Sequence, residues 1–71
     1  MEDSEIKNMI RNVCESLENK GYDSISQLSG FIISNDLGYI PEFDDNRNKM
    51  ASLDRMMLLE KMISEYLKWD V

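Results

Sequence analysis

Histidine and threonine are missing from this 71-residue chain, and cysteine, proline and tryptophan occur once each. Without histidine, neither a Ser-His nor a Cys-His nucleophile can be assembled. The single cysteine, Cys14, forms no internal disulfide, and it cannot supply the Cys/His ligands of a structural zinc site. It flanks an apolar helix stripe, where a thiol is inert. The three glycines stand far apart, so no loop is built to cradle a phosphate. The acids from Asp36 to Asp45 do not have calcium-loop spacing, and the adjacent Asp44-Asp45 suits a helix cap better than an acid/base pair. No catalytic, cofactor-binding or metal site is expected, and the chain reads as a non-enzyme.

Long apolar runs and basic stripes are missing too. Nothing approaches the length that crosses a bilayer. The acidic start, Met-Glu-Asp-Ser-Glu, has no apolar stretch that would make it a signal peptide. A lone cysteine and no targeting signal place the expected location in the cytoplasm, with no membrane partner. The formal charge is −6, and from Asp23 to Asp45 five acids occur without a base. Phosphate-backbone binding therefore lacks its main energy source, and no nucleic-acid partner is expected. The alternative is a small helix-turn-helix-like nucleic-acid regulator using Arg47, Lys49 and Arg55. Those bases stand beside Asp44, Asp45 and Asp54, which makes it electrostatically poor.

What is present is helical periodicity. Ile6, Met9, Ile10, Val13 and Leu17 recur at three- and four-residue spacing and predict a helix over about Ser4–Lys20. Asp3 or Ser4 can cap it, and Gly21 ends it. Ile25, Leu28, Phe31 and Ile32 predict a second helix over about Ser24–Ser34. Asp23 can cap that helix, with a Ser24/Gln27 capping box as the alternative. Gly30 inside it costs about 1 kcal/mol of propensity relative to Ala, and a close approach by another backbone is one reason to tolerate it. Asn35 to Asp44 reads as a loop, in which Pro41 pushes Ile40 into an extended conformation. Its large apolar residues Tyr39, Ile40 and Phe43 either fold back over the helices, the simpler reading, or form a sticky surface.

A short third helix is predicted over about Asp45–Ser52 and a last one over about Arg55–Trp69, with Asp54 as cap and Leu53/Leu58 as hydrophobic staple. One bent helix is the alternative. Met56, Leu59, Met62, Ile63, Tyr66 and Leu67 form the last stripe. Of the six methionines, Met9, Met56 and Met62 are expected in the core and Met57 at a subunit interface. The expected fold is all-α: one domain over 1–71, a compact bundle of three to four helices. A chain this short buries too little surface to be comfortably stable alone. With disulfide and metal excluded, a homodimer is expected.

Lys20-Gly21-Tyr22, Ile25 with Gln27, Gly30, Ser34 with Asp36, Tyr39-Ile40-Pro41 and Arg47-Asn48 together resemble the IreB family of regulatory phosphoproteins from low-GC Gram-positive bacteria. The resemblance continues through Asp54-Arg55, Glu60 and Tyr66-Leu67-Lys68 and covers roughly residues 5 to 68; the order and spacing carry it, not any single motif. It implies a compact, all-helical, homodimeric cytoplasmic regulator. It also implies a link to a transmembrane Ser/Thr kinase with extracellular PASTA domains that watches the cell wall, and to negative control of cephalosporin resistance. The expected partners are thus a second copy, such a kinase, or a downstream regulatory protein. Family phosphorylation falls on threonines in a flexible N-terminal tail. This chain has no threonine and begins close to its first helix, leaving Ser4 as the candidate phosphorylation site, with an ordinary N-cap as its simpler role. The candidate partner surface is Tyr39, Ile40, Pro41 and Arg47, since exposed aromatic and Arg residues dominate interface energetics.

Overall fold

The computed structural model describes residues 2–69. Four helices follow one another: α1 (Asp3–Asn19), α2 (Ser24–Ser34), α3 (Asn46–Ala51) and α4 (Arg55–Leu67), with a 3-10 turn at Leu37–Tyr39. The fold is all-α, and among the described residues there is no strand.

Local chemistry explains the joints. At the end of α1, Gly21 takes φ +86°. Its N–H bonds to the Glu18 carbonyl and the Tyr22 N–H to the Leu17 carbonyl, both at 3.0 Å, the paired bonds of a Schellman stop. A Cβ at Gly21 would touch nothing within 4 Å, so the position needs glycine for its backbone alone. Gly21→Ala is therefore expected to cost about 1 kcal/mol, read as a fall of about 4–8 °C in melting temperature. Gly21→Asn, tolerated in the left-handed region, should cost less.

Asp23 caps α2 by accepting from the Ser26 N–H at 3.2 Å. The Ser24/Gln27 box does not form. Instead the Ser24 N–H donates to Glu18 Oε2 at 2.8 Å, which ties the end of α1 to the start of α2, and Gln27 turns to the loop. Asp54 caps α4 through the Met57 N–H at 3.1 Å, and the chain breaks between α3 and α4, so they are two helices. Helix α1 differs at its start: Glu2 holds the N-cap position without a side-chain cap, and Asp3 is inside the helix. Helix α4 stops earlier than its apolar pattern suggests, because Lys68 adopts a left-handed φ of 58° and the Trp69 N–H folds back to the Ser64 carbonyl at 2.9 Å.

Val13 and Leu17 of α1, Leu28 and Phe31 of α2, Ile40 of the loop and Met50 of α3 form one buried cluster. Each such side chain contributes about 1.5–3 kcal/mol by leaving water. Met50 is thus the core methionine. Met56 and Met62, expected inside, are 66% and 50% exposed, and Leu58 is the one buried residue of α4. The stripe on α4 is real, but among the described residues nothing covers it.

Candidate protein-binding surfaces

Tyr39, Ile40, Pro41 and Arg47 are brought together, but chiefly by structural bonds. Asp36 Oδ1 accepts from the Gly38 N–H at 2.8 Å and opens the 3-10 turn. Gln27 Nε2 donates to the Tyr39 carbonyl at 2.9 Å, and Arg47 Nε donates to the Ile40 carbonyl at 2.7 Å. Arg47 also lies 3.7 Å from a Glu42 carboxylate oxygen. These two side chains hold the loop against α2 and α3, and Ile40, extended ahead of Pro41, points into the core with 0% exposure. Ile40 therefore leaves the candidate surface. Arg47 is half-buried and occupied as a loop staple. Pro41 is half-buried, and Tyr39 keeps 44% of its surface exposed.

The Tyr39 ring lies on Gly30. A Cβ built there would sit 2.3 Å from Tyr39 Cδ1. The close approach that tolerates Gly30 is thus made by a side chain, not a backbone. Phe43 covers the other end of the loop, stacked on Tyr22 at 6.2 Å with Lys20 Nζ 5.6 Å from its ring centre. The Lys20-Gly21-Tyr22 segment stops α1 and also receives the loop.

A second surface includes Met57. An open groove of about 880 Å³ runs between α1, α2 and α4. Ile6, Ile10 and Cys14 form one wall, Ile25, Leu28 and Ile32 another, and Met57, Leu58, Met62 and Tyr66 the third. Two polar contacts reach from α4 to the other helices: Arg55 Nη1 donates to the Ile32 carbonyl at 2.6 Å, and Lys61 Nζ stands 3.8 Å from Asp3 Oδ1. The ionisable groups lining the groove, Cys14 and Tyr66 aside, are three acids (Asp3, Asp54, Glu65) and three bases (Lys7, Arg11, Lys61). A neutral apolar face thus opens on a chain whose formal charge is −6. Sequence periodicity signals the apolar stripes but not that they converge on an open face.

The bases that a nucleic-acid reading needs are all engaged. Arg47 bonds the Ile40 carbonyl, Arg55 the Ile32 carbonyl, and Lys49 Nζ the Asn12 side-chain oxygen at 2.7 Å. Among the described residues no three His, Cys, Asp or Glu side chains are placed to hold a metal ion, and no helix is long and apolar enough to cross a membrane. Ser4 is exposed in the first turn of α1 and caps nothing.

Residues 1–68 match the family model of the IreB regulatory phosphoprotein. That span holds all four helices and both surfaces, so the chain belongs to the IreB family of regulatory phosphoproteins.

Proposed function

We propose that this protein is a non-enzymatic regulator that works by binding proteins, and that the groove between α1, α2 and α4 is its self-association face. The observation that carries this reading is the unfilled apolar groove with balanced charge. A two-fold interface sets one patch against itself, so acids and bases in equal number on the patch are self-complementary. A basic partner would instead be drawn to the acidic remainder of the surface. Area supports the same reading. The accessible surface is 5205 Å², against about 4,600 Å² for a compact monomer of 8.3 kDa. That excess approaches the roughly 800 Å² per partner of a standard interface.

Family membership extends the proposal to its setting. The regulator acts in the cytoplasm, in cell-wall-stress signalling from a PASTA-type Ser/Thr kinase, and restrains cephalosporin resistance. Ser4 is a candidate acceptor of phosphate from such a kinase. The half-exposed Tyr39 and Pro41, with the guanidinium edge of Arg47, are the candidate surface for a kinase or downstream protein.

Sedimentation equilibrium tests the central claim. The wild-type chain is expected to sediment near twice 8.3 kDa, and Met57→Glu with Met62→Glu to give folded monomer, because two carboxylates would have to be desolvated on each side of the interface. A wild-type monomer at all micromolar concentrations would sink the self-association reading. Tyr39→Ala should leave the mass unchanged while weakening capture of the purified kinase domain.

A further inference from the structure

Helix α4 is apolar on two faces. Met57, Leu58, Met62 and Tyr66 line the groove. Met56, Leu59, Ile63 and Leu67 follow one another at spacings of three and four, so they share a second face. None of them lines the groove, and all are 40–66% exposed. With 3.6 residues per turn, the two stripes are centred more than about 120° apart. A helix with apolar residues on all sides is an interior helix, yet Leu58 is the one buried residue of α4. A self-association that filled the groove alone would leave the outer stripe in water.

We infer that two copies interlock through α4, each inserting this helix into the groove of the other. The inference rests on the self-association reading and says how the copies meet. The outer stripe of each α4 packs on the α1/α2 wall of the opposite copy, where Ile6, Ile10 and Ile25 stand. The groove-lining faces of the two α4 helices then meet each other at the two-fold axis. Both faces of α4 leave water in one step.

Size and closure favour a second copy as the occupant. The 13 residues of α4 span about 20 Å. Spread over that length, the groove's volume of about 880 Å³ gives a slot roughly 7 Å across, which admits a helix whose Cα cylinder is about 4.6 Å wide and whose side chains interdigitate with the walls. A concave groove and a convex stripe on one chain are complementary, and patches of that kind grow open chains unless the exchange is reciprocal. Interlocking is reciprocal and closes at two. Edge charges agree in sign: Lys7 and Arg11 on the α1 rim and Glu60 beside the outer stripe have no ion-pair partner among the described residues. The Lys61–Asp3 pair stands in the way of an incoming helix, but both side chains are more than half exposed, and such pairs yield at little cost.

Sedimentation equilibrium of full-length variants tests the interlock. Ile63→Lys charges the outer stripe and Ile25→Glu the α2 wall; both positions are exposed, so the monomer fold, checked by circular dichroism, is kept. Each variant is expected to raise the dimer dissociation constant about a hundredfold, since a charge must be buried at both seams. Ile25→Glu is then mixed in turn with Leu59→Lys, Ile63→Lys and Leu67→Lys. In such a heterodimer one seam is wild type and the other sets Glu against Lys, so at least one mixture should associate at least about tenfold more tightly than either variant alone. Wild-type affinity in Ile63→Lys, or no rescue in any mixture, overturns the interlock while a wild-type dimer keeps the self-association reading. A wild-type monomer overturns both.

Discussion

Asn46→Asp is expected to cost about 3–5 kcal/mol at neutral pH, the range for a buried charge without a partner. That is a large share of the stability of a 71-residue domain, at roughly 0.05–0.15 kcal/mol per residue. Asn46 is 0% exposed. Its Nδ2 donates to Ser16 Oγ at 3.0 Å, and Ser16 Oγ donates in turn to Asp44 Oδ2 at 2.6 Å. The hydroxyl has one proton and has already given it to Asp44, so a carboxylate at position 46 finds no donor there. Among the described residues Asn46 Oδ1 has no hydrogen-bond partner, so the pocket offers no donor on its other side either. A protonated carboxyl, by contrast, can donate to Ser16 Oγ as the amide does.

The pH dependence follows with a definite sign. The folded protein holds the new carboxyl's proton where the unfolded chain, with an ordinary value of about 3.9, has lost it. Stability relative to wild type is therefore retained below about pH 4 and falls as pH rises toward the raised folded value, by up to about 1.4 kcal/mol per unit. Urea unfolding of both proteins at pH 4, 5, 6 and 7 checks this, and subtracting the wild type removes the titration of the other acids. A gap that does not widen between pH 4 and 7 would show that Asn46 is not the sequestered donor described above.

The burial of Asn46 is not legible in the sequence. After two aspartates it reads as one more polar residue at a helix start. Its burial follows from Asp44 and Asp45 both taking left-handed backbone, φ 53° and 61°, which Asp tolerates better than most residues but does not announce. The aspartates do not cap α3 with their side chains; Asp44 accepts from Ser16 and Asp45 from Asn48 Nδ2. By contrast, Gly21, Asp23, Asp54 and both bounds of α2 were legible, because a stop or a cap is decided by bonds within a few residues. The staple residues Leu53 and Leu58 were legible on the same ground: Leu53 packs on the core and Leu58 is buried. The family pattern is largely made of such local signals, which is why their order sufficed to suggest it.

Burial across the chain was less legible. A period of 3.6 says which residues share a face and leaves open what the face meets. On α1 and α2 the faces meet each other. On α4 the stripe runs past the edge of the small core, so Met56 and Met62 stay exposed and the groove beside them stays open. Ile40 is buried, as the fold-back reading of its loop expects, and so stands inside and not on the candidate surface. In sequence it is one apolar residue of a loop, and only the two side-chain bonds from Gln27 and Arg47 to neighbouring carbonyls turn it inward. The candidate site therefore divides into a loop whose bonds serve the fold and an apolar groove that the described residues leave open. The proposed self-association belongs to the groove.

Gly30 and Tyr39 should show a reversal of sign. In the wild-type background, Gly30→Ala gains up to about 1 kcal/mol of helix propensity but places a Cβ against the Tyr39 ring, with Cδ1 at 2.3 Å and Cγ at 2.8 Å. Cγ lies next to the Tyr39 backbone, and the Gln27 bond to the Tyr39 carbonyl holds that backbone in place, so the ring cannot simply swing aside. Overpacking of this kind costs about 1–3 kcal/mol, and the net effect is expected to be destabilising. Tyr39→Ala removes the ring and leaves both loop bonds, since Gln27 and Arg47 reach main-chain oxygens. In that background the three nearest neighbours of the new Cβ are gone, and Gly30→Ala should stabilise by about 0.5–1 kcal/mol. The coupling between the two positions is then roughly 1–3 kcal/mol. Urea denaturation of the four proteins at one pH and one concentration gives it directly, with self-association held constant across the cycle. Stabilisation by Gly30→Ala in both backgrounds would mean that the ring does not rest on Gly30, and Tyr39 would then be free to face a partner with its whole surface. The predicted reversal means instead that α2 presents Tyr39 as a fixed, half-covered ring. Its affinity for any partner would then respond to Gly30→Ala, although residue 30 itself lies beneath the ring.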